Sequence, residues 1–219
     1  MVIKELVELA ILVKLVELVD LEKNKNMLEN LRKYHIILAS NSPRRRELLA
    51  GLGIDYEVRT IQGIDESYPA ELPVEQIAEF ISAEKTAAYQ KQLTDDELII
   101  TADTIVVVDS EVLGKPHDEA DARRMLHKLS NRTHQVITGV CLTTIAKQRR
   151  FSVTTDVTFK QLSDEEIDYY ITNYRPFDKA WAYGIQEWIG YIGVTGLNGS
   201  YFNVMGLPVQ RIYNELRNF

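Results

Sequence analysis

The sequence predicts an α/β protein: a mixed twisted sheet with flanking helices and a second lobe of long antiparallel strands. Three observations predict it. Continuous apolar runs at 36–39 and 98–108 read as strands buried on both faces, as in a sheet covered by helices. Segments with helical spacing alternate with them, several opened by a proline or a capping residue. Two long strand-like runs, 133–145 and 151–162, then follow each other with a break near Lys147 and Gln148, the pattern of a hairpin.

At 219 residues the chain suffices for one large domain or two small lobes sharing a core. Its 45% hydrophobic and 26% charged residues are ordinary for a globular protein, so the fold class rests on pattern and not on composition. The net charge of −7 argues against a binder of nucleic-acid polymers or anionic membranes, whose footprint is basic. Cys141 is the single cysteine, which excludes an internal disulfide and any multi-cysteine metal site and suits a reducing cytoplasm.

Residues 1–26 differ from everything after them. The run 6–19 is almost all Leu, Val, Ile and Ala, interrupted by Glu8, Lys14 and Glu17. It is too short and too charged to span a membrane, and it lacks the cationic start and small-residue cleavage site of a secretory signal. At about 100° per residue the three charges do not share a face, so the helix is poorly amphipathic. The expectation is an N-terminal helical extension over 1–33 without catalytic role, with the native protein starting at or near Met27, and one working domain over 34–219. An oligomerising or docking helix is the competing reading.

The first strand breaks at Ser40-Asn41-Ser42. Ser42 suits an N-cap and Pro43 the first helical position, and the helix is expected to stop near Gly51 or Gly53. Arg44, Arg45 and Arg46 crowd its first turn, where cations cost roughly 0.3–1 kcal/mol each at exposed sites. A bound anion would reverse that sign, and a small polyphosphate suits a local arginine cluster in an acidic chain. Arginines splayed into solvent, or paired with Glu47, are the alternative. A second strand is predicted at 56–60, then a loop with Asp65 and Glu66, then a helix from Pro73 to about Gln92 that carries Lys85. The strand 98–108 turns at Asp109-Ser110 into 111–113. Asp118 caps a helix, and after the hairpin Ser163 with Glu166 forms a capping box opening another helix to about Tyr174. A Gly- and aromatic-rich stretch, 180–206, precedes Leu207-Pro208 and a last helix.

Asp103 lies within an otherwise buried strand run. An unpaired carboxylate there would cost several kcal/mol, so it must be neutral, hydrogen-bonded, ion-paired or metal-bound. A bulge exposing it to water, or a structural lysine, would also answer. Lys85 and Lys115, taken singly, read as solvated cations. Asp65-Glu66 reads as a carboxylate pair for a divalent ion or as a turn, and Asp178-Lys179 is as ambiguous. His134 alternates with apolar residues and reads as structural. Neither a P-loop nor a His-Glu-x-x-His motif occurs.

Taken in order, Leu38-Ala39-Ser40-Asn41-Ser42-Pro43-Arg44-Arg45, Asp65-Glu66, Ala83-Glu84-Lys85-Thr86-Ala87, Ala102-Asp103-Thr104 and Leu113-Gly114-Lys115-Pro116 resemble the Maf-like nucleoside triphosphate pyrophosphatases. So do Thr133-His134-Gln135-Val136, Asp178-Lys179-Ala180, Tyr183-Gly184-Ile185-Gln186 and Asn203-Val204-Met205-Gly206-Leu207-Pro208. The resemblance covers about 34–219. It implies a cytoplasmic house-cleaning enzyme that cuts a nucleoside triphosphate to monophosphate and pyrophosphate, in a nucleotide cleft between the lobes, with a divalent metal cation, Mg²⁺ or Mn²⁺. By the resemblance, Asp103 is the proton acceptor, with Lys85 and Lys115 catalytic beside it. Arg44, Thr104 and Gln186 match the positions that separate the specificity branches and look like the dTTP/UTP branch. Ser40, Arg45 and Glu66 match further polar positions of the family site, with Ser40 and Arg45 expected to bind substrate, and a metal held by Glu66, Asp103 or both would bridge phosphate oxygens. Trp181 departs from the pattern, where a small Gly is usual. The partner implied is a small-molecule nucleoside triphosphate, with no nucleic-acid polymer and no membrane, and a homodimer is the assembly often met in the family. The alternatives are a nucleotide-binding regulator of septum formation with little turnover, and an interaction protein working through the N-terminal helix.

Overall fold

The computed structural model describes residues 28–219. The reading of 1–26 as an extension, and of Met27 as a start, lies outside them. Residues 28–33 sit on the domain itself: Leu28 and Leu31 are buried with Leu216, and Asn30 Nδ2 donates to Leu216 O at 2.8 Å.

Seven strands form one sheet: β1 (His35–Leu38), β2 (Glu57–Val58), β3 (Glu97–Val108), β4 (Glu111–Leu113), β5 (Thr133–Thr143), β6 (Gln148–Phe159) and β7 (Val194–Asn198). Their order is β2-β1-β3-β5-β6-β7, with β4 also on β3. β1 pairs parallel with β2 and β3; every other pairing is antiparallel. The expected second lobe is therefore continuous with the first, because β3 belongs to both halves of the sheet. The α-helices among the described residues are α1 (Pro43–Ala50), α2 (Val74–Tyr89), α3 (Glu119–Leu129), α4 (Asp164–Tyr174), α5 (Trp188–Gly193), α6 (Tyr201–Val204) and α7 (Val209–Arg217).

The predicted starts of α1, α3 and α4 are where the caps put them. Ser42 Oγ accepts from Arg45 N–H, Asp118 from Asp121 N–H, and Ser163 and Glu166 form the reciprocal capping box. Asp109 and Ser110 both take positive φ, 51° and 64°, the hairpin geometry that matches strand twist. The strand expected at 56–60 shrinks to Glu57–Val58, since only two residues find a partner in β1.

Strand parity decides which side chains meet. Along β3, Ile99, Thr101, Asp103, Ile105 and Val107 share one face, and α2 covers it with Ile77, Ala78 and Ile81. The opposite parity, Leu98, Ile100, Ala102, Val106 and Val108, joins the two larger cores under α1, α7, α3 and α4. Gly139 lets α2 lie directly on the sheet: a Cβ there would stand 2.2 Å from Ala78 C.

Candidate active site

The site begins with an interruption. On one edge β3 pairs with β1 as far as Ile100 and with β4 only from Val106, so no strand covers residues 101–105 on that side. A cleft of about 760 Å³ opens at this gap. It lies beyond the carboxyl end of β1, where a parallel sheet changes partner, the usual place for a ligand in such sheets.

Asp103 leaves β3 on the α2 face and meets Lys85, whose Nζ lies 2.7 Å from Asp103 Oδ1 and 3.0 Å from Glu66 Oε1. Lys85 and Asp103 are nearly withdrawn from solvent, with side chains 14% and 12% exposed. The carboxylate in the apolar strand is thus ion-paired, and one ammonium gathers two carboxylates. Asp65 does not join them. It accepts from the Ser67 N–H and hydroxyl, both at 2.9 Å, and shapes the turn that delivers Glu66; those bonds hold its carboxyl below the ordinary range.

On the other side of the gap Arg45 substitutes for the missing strand. Its Nη1 donates to Ala102 O at 2.7 Å, Nε to Gly206 O at 2.8 Å and Nη2 to Thr104 Oγ1 at 3.0 Å. Burial pushes this guanidinium below its ordinary pKa; Asp103 opposes the shift and Arg44 adds to it. Gly206, at φ 109°, brings its carbonyl to Arg45 in a conformation a side chain resists. Thr104 Oγ1 lies 3.0 Å from Thr138 Oγ1, its partner across β3 and β5.

Arg44 and Lys115 are among the further cations that line the cleft. Neither has a hydrogen-bond or ion-pair partner among the described residues, so Arg44 is not spent on Glu47. Arg46 turns away to Ser40 O and Asn41 Oδ1, both at 3.4 Å. Gln186 lines the same cleft on the loop between α4 and α5, as do Lys179, Trp181 and Tyr183. Trp181 holds φ 59°, strained for a bulky residue, and its N–H donates to Gly114 O at 2.8 Å beside Lys115.

Of the residues singled out in the sequence, Arg44, Arg45, Glu66, Lys85, Asp103, Thr104, Lys115 and Gln186 share this one cleft. Ser40 stands behind it, buried, its Oγ accepting from Ser42 N–H at 3.2 Å. His134 is structural: Nε2 is 2.8 Å from Tyr183 Oη, and burial lowers its pKa to about 4. Sequence reasoning did not find Thr138, which follows only from the β3–β5 register.

Among the described residues no cluster of three His, Cys, Asp or Glu side chains could cage a metal. The two carboxylates that converge on Lys85 are nonetheless a donor set that suits Mg²⁺ or Mn²⁺. Such ions take one or two protein carboxylates and fill the remaining positions with phosphate oxygens and water.

The Maf-like protein family model matches residues 35–219. A dTTP/UTP pyrophosphatase of Phocaeicola vulgatus is 69% identical over 191 residues, covering 87% of this chain and 99% of its own. Those of Bacteroides thetaiotaomicron and Parabacteroides distasonis are each 58% identical. They cover 87% and 88% of this chain, and 99% and 100% of their own lengths. With the match running from β1 to the last residue, this chain belongs to the Maf-like protein family.

Proposed function

We propose that the chain is a nucleoside triphosphate diphosphatase that hydrolyses dTTP and UTP to the monophosphate and pyrophosphate. The observation that carries it is the meeting, at one break in the sheet, of the Lys85–Asp103–Glu66 group with two cations that have no partner among the described residues, Arg44 and Lys115. Cutting the α–β phosphoanhydride requires that charge be offset on the departing pyrophosphate and around the α-phosphorus. Arg44 and Lys115 are placed to receive phosphate oxygens, and Lys85 to add its charge from the floor. Asp103 takes the proton of the water that attacks the α-phosphorus; the P–O bond to the β-phosphate breaks and pyrophosphate leaves with the electron pair. Glu66 and Asp103 are the residues that would hold Mg²⁺ or Mn²⁺, which when bound offsets phosphate charge and makes a bound water more acidic.

Gln186 offers both a donor and an acceptor to a pyrimidine edge. Arg45, with Thr104 locked to it, fixes the wall on which the nucleotide lies. UTP and dTTP differ by a methyl and a 2′-hydroxyl, and a pocket resolves one methyl by only about 1–3 kcal/mol, so action on both is expected. Among the described residues no helix is long and apolar enough to cross a membrane. The cytoplasm and a homodimer complete the reading, the latter checked by light scattering.

The test is a panel of nucleoside triphosphates with Mg²⁺, assayed for released pyrophosphate. UTP and dTTP are expected to lead, and Asp103→Asn to abolish turnover while nucleotide still binds. Near-native turnover in Asp103→Asn, or release of single phosphates instead of pyrophosphate, would overturn the reading.

A further inference from the structure

Apolar contacts hold α2 against the sheet without fixing where along it the helix rests. Ile77, Ala78 and Ile81 pack with Ile105, Val107 and Ile137, and burial of this kind is non-directional. Among the described residues, the hydrogen bonds between α2 and β3 are the Lys85–Asp103 pair and one cluster of hydroxyls. Thr101 Oγ1 donates to Ser82 O at 2.7 Å, Thr86 Oγ1 reaches the same carbonyl at 3.1 Å, and the two hydroxyls lie 2.6 Å apart. Ser82, Thr86 and Thr101 are all fully buried. Whichever way the two hydroxyl protons turn, neither is left without an acceptor.

The cluster sits beside the ion pair on both elements. Thr86 follows Lys85 on α2, and Thr101 shares its face of β3 with Asp103, two residues on. Helical side chains lean towards the N-terminus, so Lys85 reaches back from the Thr86 end of the helix to Asp103. The other fixed point of α2 is Ala78, seated on the bare Cα of Gly139. About 12 Å of helix separates Ala78 from Thr86, at roughly 1.5 Å per residue. A rod seated only at Ala78 is free to swing at its far end, and the hydroxyls stop it there. We infer that Thr86 and Thr101 are positioning residues, whose hydroxyl bridge fixes the end of α2 so that the Lys85 ammonium stands at Asp103 during attack on the α-phosphorus. Their role is one in the hydrolysis read above and rests on that reading.

The experiment uses the full chain and measures kcat and KM for UTP with Mg²⁺, with thermal melting alongside. Thr86→Val together with Thr101→Val removes both hydroxyls and nearly keeps their shapes. Replacing both partners of a buried hydrogen bond by apolar groups is close to neutral, so melting is expected to change little. In the same variant kcat is expected to fall by about tenfold to a hundredfold, the scale on which a displacement near 1 Å tells. KM is expected to hold, because Arg44 stands on α1 and Lys115 follows β4. Thr86→Ser together with Thr101→Ser does the reverse. It keeps the hydroxyls and removes two buried methyl groups, so melting is expected to fall and kcat to hold. Thr101→Val alone carries the test if the valine pair does not fold, because Thr86 keeps Ser82 O as its acceptor. Near-native kcat in the valine variant, or a kcat in the serine pair as low as in the valine pair, overturns the inference. If the unaltered chain releases no pyrophosphate from UTP or dTTP, the functional reading falls and this inference with it. If it does release pyrophosphate and kcat follows melting instead of the hydroxyls, the inference falls alone.

Discussion

In Ile-Ile-Thr-Ala-Asp-Thr-Ile the only residue that strand burial cannot tolerate alone is Asp103, and that made it legible. The ammonium that answers it was legible only as a lysine among small helix residues. Breaking a desolvated pair from one side leaves an uncompensated charge, which typically costs 3–5 kcal/mol. Lys85→Met is therefore expected to lower stability by about 3 kcal/mol in urea melts and to abolish turnover. Adding Asp103→Asn to it is expected to recover most of the stability and none of the turnover. Arg45 is a different lesson. Its place in a cluster of three arginines suggested an anion, yet its guanidinium faces inward to Ala102, Gly206 and Thr104, because the Ala102 carbonyl on β3 has no strand there to donate to it. No local pattern announces that need; it follows from where β1 stops.

His134 allows a pH argument at the same scale. Burial lowers its pKa to about 4, from 6.5 in the open chain, so between these values the unfolded state binds the extra proton. The stability this represents is complete above pH 6.5 and is lost as pH falls towards 4, of the order of 3 kcal/mol in all. Denaturant melts at pH 7, 5.5 and 4 are expected to show that decline, and His134→Gln to flatten it. Glu97 and Glu215, held low by Arg59 and Arg149, add their own loss as pH falls through the ordinary glutamate value of 4.5, so they contribute to the melt at pH 4 as well.

Helix starts were the most legible elements, since a cap is local chemistry: Ser42-Pro43, Asp118 and Ser163 with Glu166 each open a helix. β7, α5 and α6 were not, because the stretch 180–206 mixes glycines with aromatics and has no clean period. The contact of α2 with β5 was equally hidden, although it sets the site. Gly139 lies opposite Asp103 in the β3–β5 register, and α2 rests on its bare Cα. Gly139→Ala would force α2 away from the sheet and carry Lys85 off Asp103. Its expected cost is about 1–3 kcal/mol in a denaturant melt, the range for overpacking, with a fall in kcat larger than uniform destabilisation gives.

For the molecule as a whole, the net charge of −7 and the cationic cleft pull a polyanionic substrate in opposite directions. The local cations must win at short range, and salt screens them. KM for UTP is therefore expected to rise between low and high NaCl with kcat little changed, as steady-state assays would show. The overall class was legible because buried runs, helical spacing and a hairpin agreed with one another. The single sheet was not, since no sequence pattern says that β3 serves both halves.

That shared strand has a consequence for how the chain reaches its native state. β5 and β6 are neighbours in sequence and close with little loop entropy, whereas β1 reaches β3 only across α1, β2 and α2. Amides of the β5–β6 ladder are expected to exchange with solvent most slowly, and those of β1 sooner. The break in β3 is bounded on one side by β1, so the cavity takes shape only once that late pairing is made. A nucleotide bound there would slow unfolding while leaving the refolding rate nearly unchanged.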